Sequence, residues 1–395
     1  MTKNKSSVGG FFKKLIRNQG VQSFIASLLC ILAGLLIGYI VLLFINPSGA
    51  SEAIGNVIKN FFTYSRDTLR WKNFGNTLVK TAPLLMCSLS ILFCYKVGLF
   101  NIGAAGQYVA GSCASLYAAL SWGWGWLPCI LLAIAVSALF GIIVGILKAY
   151  CNVNEVISGI MLNWIGLYTA NMLLSQVKDE ASPYSLHLSA KNPSAILPSL
   201  GLDSLFGKGN KVTIAIPIAI VLAIIVMIVL NMTKLGFELK ATGLNKNAAK
   251  YAGMAEKRNF ILALGIGGAL AGLGGALLYL TDFEQWLCTA SSVPGMGFNG
   301  IAAAFLGGLN PIGSIFSSYF IQHISTGGAH VDLTKYSSQI SDLIAAIIIY
   351  LCGFVFFVKY AFNLWISKKD NKKDIRFTKE ELDEVKKTQK GGESE

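Results

Sequence analysis

Charge is scarce in this sequence: 13% of its 395 residues are Asp, Glu, Lys or Arg, against about a quarter in soluble domains. That scarcity excludes a hydrated surface over most of the chain. Histidine is scarcer still, and His187, His323 and His330 do not cluster. Only His323 falls in an apolar run, where a lone histidine is more often a structural donor than a proton relay. The 8 cysteines form no C-x-x-C pair. Nearly all lie in apolar runs, including Cys30, Cys87, Cys94, Cys113, Cys129 and Cys352, which makes them free core thiols and excludes both a metal site and a disulfide framework. A phosphate loop is also missing. Its nearest approach, Gly201 with Gly207-Lys208, has the wrong spacing and no Ser or Thr after the lysine, so the chain itself is not expected to hydrolyse ATP. The glycine run from Gly265-Ile266-Gly267-Gly268 to Gly274-Gly275 lacks both the G-x-G-x-x-G spacing and a preceding strand, which leaves helix packing as its reading.

Hydrophobic residues are abundant, at 54%. Apolar runs cover Ser23–Ile45, Thr77–Tyr95, Leu99–Leu120, Trp126–Leu147, Val156–Leu174, Thr213–Leu230, Phe260–Leu280, Phe298–Leu309, Ile312–Thr326 and Ile340–Val358. Several reach the ~20 residues that cross a ~30 Å hydrocarbon layer. Backbone groups in lipid must be satisfied within the segment, so these runs are helices, and the ten-residue alternation of a membrane β-barrel is not seen. The expected fold class is an all-α polytopic membrane protein of about ten transmembrane or re-entrant helices. The eighth and ninth runs are short enough to be partly re-entrant. The first run is too long for a signal peptide and is read as a retained span.

The net charge of +13 resides in loops and tails, which points to cytoplasmic retention and anionic lipid and not to nucleic acid. Residues 1–22 form a basic cytoplasmic N-terminus, 23–360 the membrane domain and 361–395 a charged cytoplasmic tail. Segments 46–76 and 175–211 are expected outside the cell and 233–259 inside. The inner loop holds Lys234, Lys240, Lys246, Lys250, Lys257 and Arg258 against Glu238 and Glu256. Ala50–Trp71 reads as an interfacial external helix. Within the tail, Thr378 and Glu381 form a capping box, with Asp383 and Lys387 as an i,i+4 pair.

Acids sit near span ends at Glu155, Asp282, Glu284 and Asp342, an arrangement that gives little support for ion coupling within the spans. Energy is therefore expected from a partner, with an ion-coupled secondary transporter as the alternative. Gly34/Gly38, Gly141/Gly145 and Gly268/Gly272 are small-xxx-small pairs that allow close helix contact. A path for a polar solute needs a few inward polar or aromatic groups, and Asn101, Gln107, Asn163, Gln285 and Asn299 are candidates beside Phe100, Trp286 and Phe298. Each amide has helix tying as its competing role. Phe100-Asn101 and Phe298-Asn299 each precede small residues, as an internal repeat would.

Two stretches carry a resemblance. One is Gly98-Leu99-Phe100-Asn101-Ile102-Gly103-Ala104-Ala105-Gly106-Gln107. The other runs from Gly236 through Ala241-Thr242-Gly243-Leu244-Asn245 and Ala248-Ala249-Lys250-Tyr251-Ala252-Gly253-Met254 into Gly268-Ala269-Leu270-Ala271-Gly272. With Asn154-Glu155-Val156-Ile157 and Gly297-Phe298-Asn299-Gly300-Ile301-Ala302, they resemble permease subunits of bacterial ABC importers for nucleosides and simple sugars, within the branched-chain amino acid permease superfamily. The resemblance covers roughly Thr77 to Phe357, and the long N-terminal portion is similar to that of the larger permease of a nucleoside importer pair. It implies a cell-membrane translocation path for nucleosides, with a simple sugar such as a pentose as the alternative, and both termini in the cytoplasm. The implied partners are a second related permease, a cytoplasmic ABC ATPase that binds the ATP, and an extracytoplasmic substrate-binding lipoprotein. No cofactor is expected in the chain itself. The implied ATPase coupling loop comprises Gly243, Asn247, Ala248, Ala249, Lys250 and Gly253. Ala105 stands where the family often has an acid, and the glutamate of the EAA loop is missing, with Asn247-Ala248-Ala249 in its place.

Overall fold

Small residues at helical spacing and almost no charge dictate helices that pack backbone against backbone, and a computed structural model shows that arrangement. It describes residues 19 to 337 apart from 208 and 333, together with scattered positions between 343 and 364. The helices run in the order α1 (Gln19–Ile45), α2 (Ala50–Lys59), α3 (Asp67–Tyr95), α4 (Ala104–Leu120), α5 (Trp126–Cys151) and α6 (Glu155–Leu174). Two single turns follow, α7 (Leu188–Lys191) and α8 (Leu202–Leu205). The order then continues with α9 (Ala215–Met232), α10 (Lys234–Leu244), α11 (Lys246–Tyr251), α12 (Glu256–Tyr279), α13 (Met296–Leu306) and α14 (Pro311–Gly327). Among the described residues, extended pairing is confined to the isolated bridges Lys178–Ser185 and Tyr184–Leu287.

Six of these helices, α1, α3, α5, α6, α9 and α12, are long and apolar enough to cross a membrane. They fall into two classes by burial. The apolar windows of α3 and α12 are 89% and 78% buried, while that of α1 is only 22% buried. The exposed residues of the outer helices are themselves apolar, such as Leu28, Leu32 and Leu36 on α1 and Leu131, Leu139 and Ile146 on α5. Side chains of that kind face lipid, because water would reject them and hydrocarbon does not. The inner layer is α3, α4 and α12, with α5 packed along α12.

Close approach holds this layer together, since lipid provides no hydrophobic force between apolar helices. A Cβ on Gly141 of α5 would fall on the carbonyl oxygen of Leu264 in α12. One on Gly111 of α4 would fall on the backbone of Gly272, whose own added Cβ would strike Ser137 of α5. The predicted pairs Gly141/Gly145 and Gly268/Gly272 thus face one another across a single seam. A Cβ on Gly38 of α1 would instead lie 3.4 Å from Ile344.

Two boundaries differ from the sequence expectation. The segment Ala50–Trp71 is not one helix: α2 ends at a turn where Asn60 takes φ 47°, and α3 begins at Asp67. Asn60 is buried, and its Nδ2 donates to Thr77, His323 and Thr326, so side chains of α3 and α14 fix the break. The expected run Leu99–Leu120 becomes helical only at Ala104. Of the cysteines, Cys151 is exposed, and Cys30, Cys87, Cys94, Cys113, Cys129 and Cys288 are buried free thiols. Eight of the 19 residues of the expected span Ile340–Val358, Asp342 and Cys352 among them, lie outside the described residues, as do residues 1–18 and nearly all of the tail 361–395, with its capping box.

Gly141→Ala is expected to lower the thermal stability of the detergent-solubilised protein by about 1–3 kcal/mol, the usual effect of overpacking a close contact. Gly55→Ala in α2, where nothing lies within 4 Å, should leave it unchanged or raise it by up to about 1 kcal/mol. Melting curves of the two variants followed by size-exclusion chromatography check the contrast.

Candidate functional site

After α3 ends at Tyr95, the chain turns through Lys96–Gly98 and re-enters the bundle without helical structure before α4 starts. Gly98 makes the turn possible: it takes φ 75°, and a Cβ there would sit 3.3 Å from the Gly243 Cα. Asn101 lies beside Gly267, near the midpoint of α12. Irregular backbone inside a membrane protein survives only where protein groups satisfy it. Asn163 of α6 does so here, accepting from the Gly106 N–H at 2.7 Å and donating to the Ile102 carbonyl at 3.1 Å. The Asn101 Nδ2 donates to Ser90 Oγ at 3.0 Å and to Gln107 Oε1 at 2.8 Å, and Gln107 returns a bond to Asn101 Oδ1 at 3.2 Å. Each of the three amides is 2% exposed. Three of the residues proposed from sequence therefore meet in one knot that braces the start of α4.

A second short helix meets the first there. A Cβ on Gly297, at the start of α13, would collide with the backbone of Ala105 in the first turn of α4, and Gly300 abuts Cys87 of α3. At its other end, the ring of Phe305 lies 5.4 Å from Tyr95 and 6.5 Å from Phe100. Two interrupted helices thus bring their N-terminal turns, which carry positive partial charge, together within the bundle. Phe298 is exposed, while Asn299 and Phe100 are half-buried. The Phe-Asn pairs are not equivalent, because Asn101 precedes α4 and Asn299 lies within α13.

Gln285 and Trp286 lie apart from this knot, beyond the far end of α12. Gln285 donates to the Ser185 carbonyl at 2.6 Å, and the Trp286 Nε1 donates to Asn171 Oδ1 at 3.0 Å. Asp282, at φ 56°, accepts from the Leu188 N–H at 3.0 Å and lies 3.3 Å from both His187 Nδ1 and Lys211 Nζ. Burial pushes the Asp282 carboxyl up. The Ser189 hydrogen bond, the Lys211 charge and bond, and the His187 bond outweigh that and hold it below its ordinary 3.8. Nearby, Lys80 of α3 pairs with Glu284 at 2.7 Å and lies 5.6 Å from the centre of the Phe283 ring. The sequence reading passed over Lys80, although it is the one charged residue in the run Thr77–Tyr95. A lone lysine in an apolar span was the available signal.

The basic loop at the other end of α12 is ordered by its own caps. Thr233 accepts from the Gly236 N–H at 3.1 Å, and Asn245 accepts from the Ala248 N–H at 3.0 Å. Gly253 closes α11 at φ 80°. Ala249 is buried, whereas Asn247, Ala248 and Lys250 are exposed. Leu244 and Tyr251 project at 89% and 95% exposure. Thr242 accepts from Asn259 at 2.8 Å, and Arg258 pairs with Glu238 at 2.7 Å, which fastens α10 to α12. Gly243 rests on the backbone of Lys96–Gly98. Between this loop and α5 lies a cleft of about 630 Å³ bordered by Gly98, Lys148, Asn152, Lys246 and Lys257.

The family described as "Branched-chain amino acid transport system / permease component" matches residues 73–353. The chain is 32% identical to the nucleoside ABC transporter permease protein NupB of Lactococcus lactis subsp. cremoris, over 87% of this chain and 94% of that protein. It is also 32% identical to the guanosine ABC transporter permease protein NupP of Bacillus subtilis, over 82% and 90% of the respective chains. A glucose ABC transporter permease protein of Haloferax volcanii is 27% identical, over 87% and 90%. No solved structure matches the chain.

Asn163→Ala leaves a buried N–H and a buried carbonyl without their partners, each worth about 1–3 kcal/mol. It should lower the melting temperature more than Gln285→Ala, whose partner Ser185 lies in a loop. Asp282 has a depressed folded pKa, so its contribution to stability is present above 3.8 and is lost as pH falls through the lower folded value. Asp282→Asn should therefore accelerate proteolysis of residues 178–211 at neutral pH, with the difference from the parent shrinking under acid conditions.

Proposed function

The chain belongs to the branched-chain amino acid transport system permease family, and from that premise we propose that it is the membrane-spanning subunit of an ATP-driven importer for nucleosides. The substrate class rests on the two relatives at 32% identity, whose names specify a nucleoside and guanosine. The glucose relative keeps a simple sugar as the second reading. In this proposal a second related permease completes the path, a cytoplasmic ATPase binds the ATP, and an extracytoplasmic protein delivers the solute. Both termini and the loop 233–259 face the cytoplasm, following their lysines and arginines.

One observation carries the coupling to an ATPase. Two large apolar side chains, Leu244 and Tyr251, project from a capped, fastened helix pair among lysines. Exposed apolar knobs on a rigid support fit a protein groove better than headgroups alone. Force applied to α11 reaches α10, and Gly243 bears on the turn Lys96–Gly98 that leads to the Asn101 knot and the start of α4. A conformational change in a partner thereby reaches the interrupted helices.

The test uses the transporter purified with its native neighbours and reconstituted in vesicles. ATP-dependent uptake is expected for guanosine, and for pyrimidine nucleosides where recognition rests on the ribose. Preference for pentose or glucose would transfer the assignment to sugars, and uptake driven by an imposed ion gradient without ATP would refute it. Leu244→Asp combined with Tyr251→Ala should reduce ATP-driven uptake on the order of tenfold, equivalent to about 1.4 kcal/mol, while protein level and melting temperature remain unchanged.

A further inference from the structure

Lys80 is the fourteenth of 29 residues in α3. It lies nine residues beyond Trp71, which is roughly 13 Å along the helix. Its partner Glu284 arrives from the segment that follows α12, and the 2.7 Å pair is open on one side, with side chains 30% and 38% exposed. Three kinds of surroundings can meet that open side: hydrocarbon, another protein surface or water. Hydrocarbon is the least favourable, since charges at membrane depth keep to protein interiors and aqueous cavities.

The rest of α3 identifies the opening. Val79, Thr81 and Ala82 beside Lys80 are 1%, 8% and 2% exposed, so this is no lipid-facing stripe. Lys72, Asn73, Phe74, Asn76 and Leu78 of the preceding turns are half-buried, and of these Asn73 and Asn76 are spaced three and four positions apart with Lys80. That spacing places all three on one face of the helix. A polar stripe that ends at an ion pair, on a helix otherwise packed against α9, α12, α13 and α14, fits contact with water better than contact with hydrocarbon. Leu84, one turn deeper, is fully buried.

We propose that Asn76, Lys80 and Glu284, with the face of Phe283, form a solute-binding vestibule at the end of the bundle opposite the basic loop, and that the ion pair recognises solute hydroxyls. A carboxylate accepts hydrogen bonds from neighbouring hydroxyls, an ammonium donates to them, and an aromatic face covers a planar ring. The chemistry fits a neutral, polyhydroxylated solute with a flat base. The vestibule rests on geometry alone, and the identity of the solute rests on the function proposed above.

The two parts are tested separately in the assembled transporter. Asn76→Cys and Lys80→Cys are treated with a membrane-impermeant thiol reagent from the side opposite the basic loop, with Val79→Cys as the buried control. Labelling of Asn76→Cys at least tenfold faster than of Val79→Cys is expected. Equal, slow labelling of the two overturns the vestibule, and this readout does not require transport. Glu284→Gln is then assayed with a ribonucleoside and with the same base on a sugar lacking its ribose hydroxyls. The preference for the ribonucleoside should shrink on the order of tenfold through KM. A Glu284→Gln transporter that keeps the parental preference reduces the pair to a loop fastener and overturns the recognition role. Parental vesicles that take up no nucleoside would instead refute the proposed function while leaving the labelling result to judge the vestibule.

Discussion

Everything in this bundle depends on the requirement that backbone polar groups out of reach of water find partners within the protein. Uninterrupted helices meet it alone, as α5 and α9 do. The chain between Tyr95 and Ala104 does not, and its irregular course is tolerated because Asn163 supplies both a donor and an acceptor to it. Asn101 and Gln107 satisfy each other and Ser90 in the same space. An interrupted helix is thus a matter of side-chain supply, and the amides that permit it are the ones that stand out in an apolar sequence.

The second constraint is contact distance. Dispersion falls off steeply with separation, so helices in lipid gain most where side chains are absent. The seam of α5 against α12, and of α12 against α4, is lined by glycine and serine for this reason. It forms a stiff inner layer that leaves the outer helices to meet lipid. On that layer the interrupted elements α4 and α13 converge, with polar clusters at both ends of α12.

Much of this was legible from the sequence because the membrane imposes its own pattern. Apolar length gave the long helices, and the small-residue pairs Gly141/Gly145 and Gly268/Gly272 gave the seam. The brevity of α13 and α14 was apparent from the short eighth and ninth runs. The start of α3 was not, since Asp67–Trp71 was assigned to an interfacial helix and Lys72, Asn73 and Asn76 dilute the turns before Thr77. Asn101, Gln107 and Asn163 were recognisable as exceptional, yet their mutual engagement was hidden: Asn163 lies 57 residues from Gly106, and amides in apolar runs look alike whether they line a path or brace one. Lys80 was overlooked because one charge scarcely lowers the hydropathy of a long run, and its partner enters from a different part of the chain.

The contact between Gly243 and the turn at Gly98 has a mechanical implication. With no side chain on either glycine, two bare surfaces rest against each other, like a cam against a follower. Such a contact transmits compression and not tension. A push on α10 therefore passes through it to the turn that precedes α4, whereas a pull in the opposite direction does not.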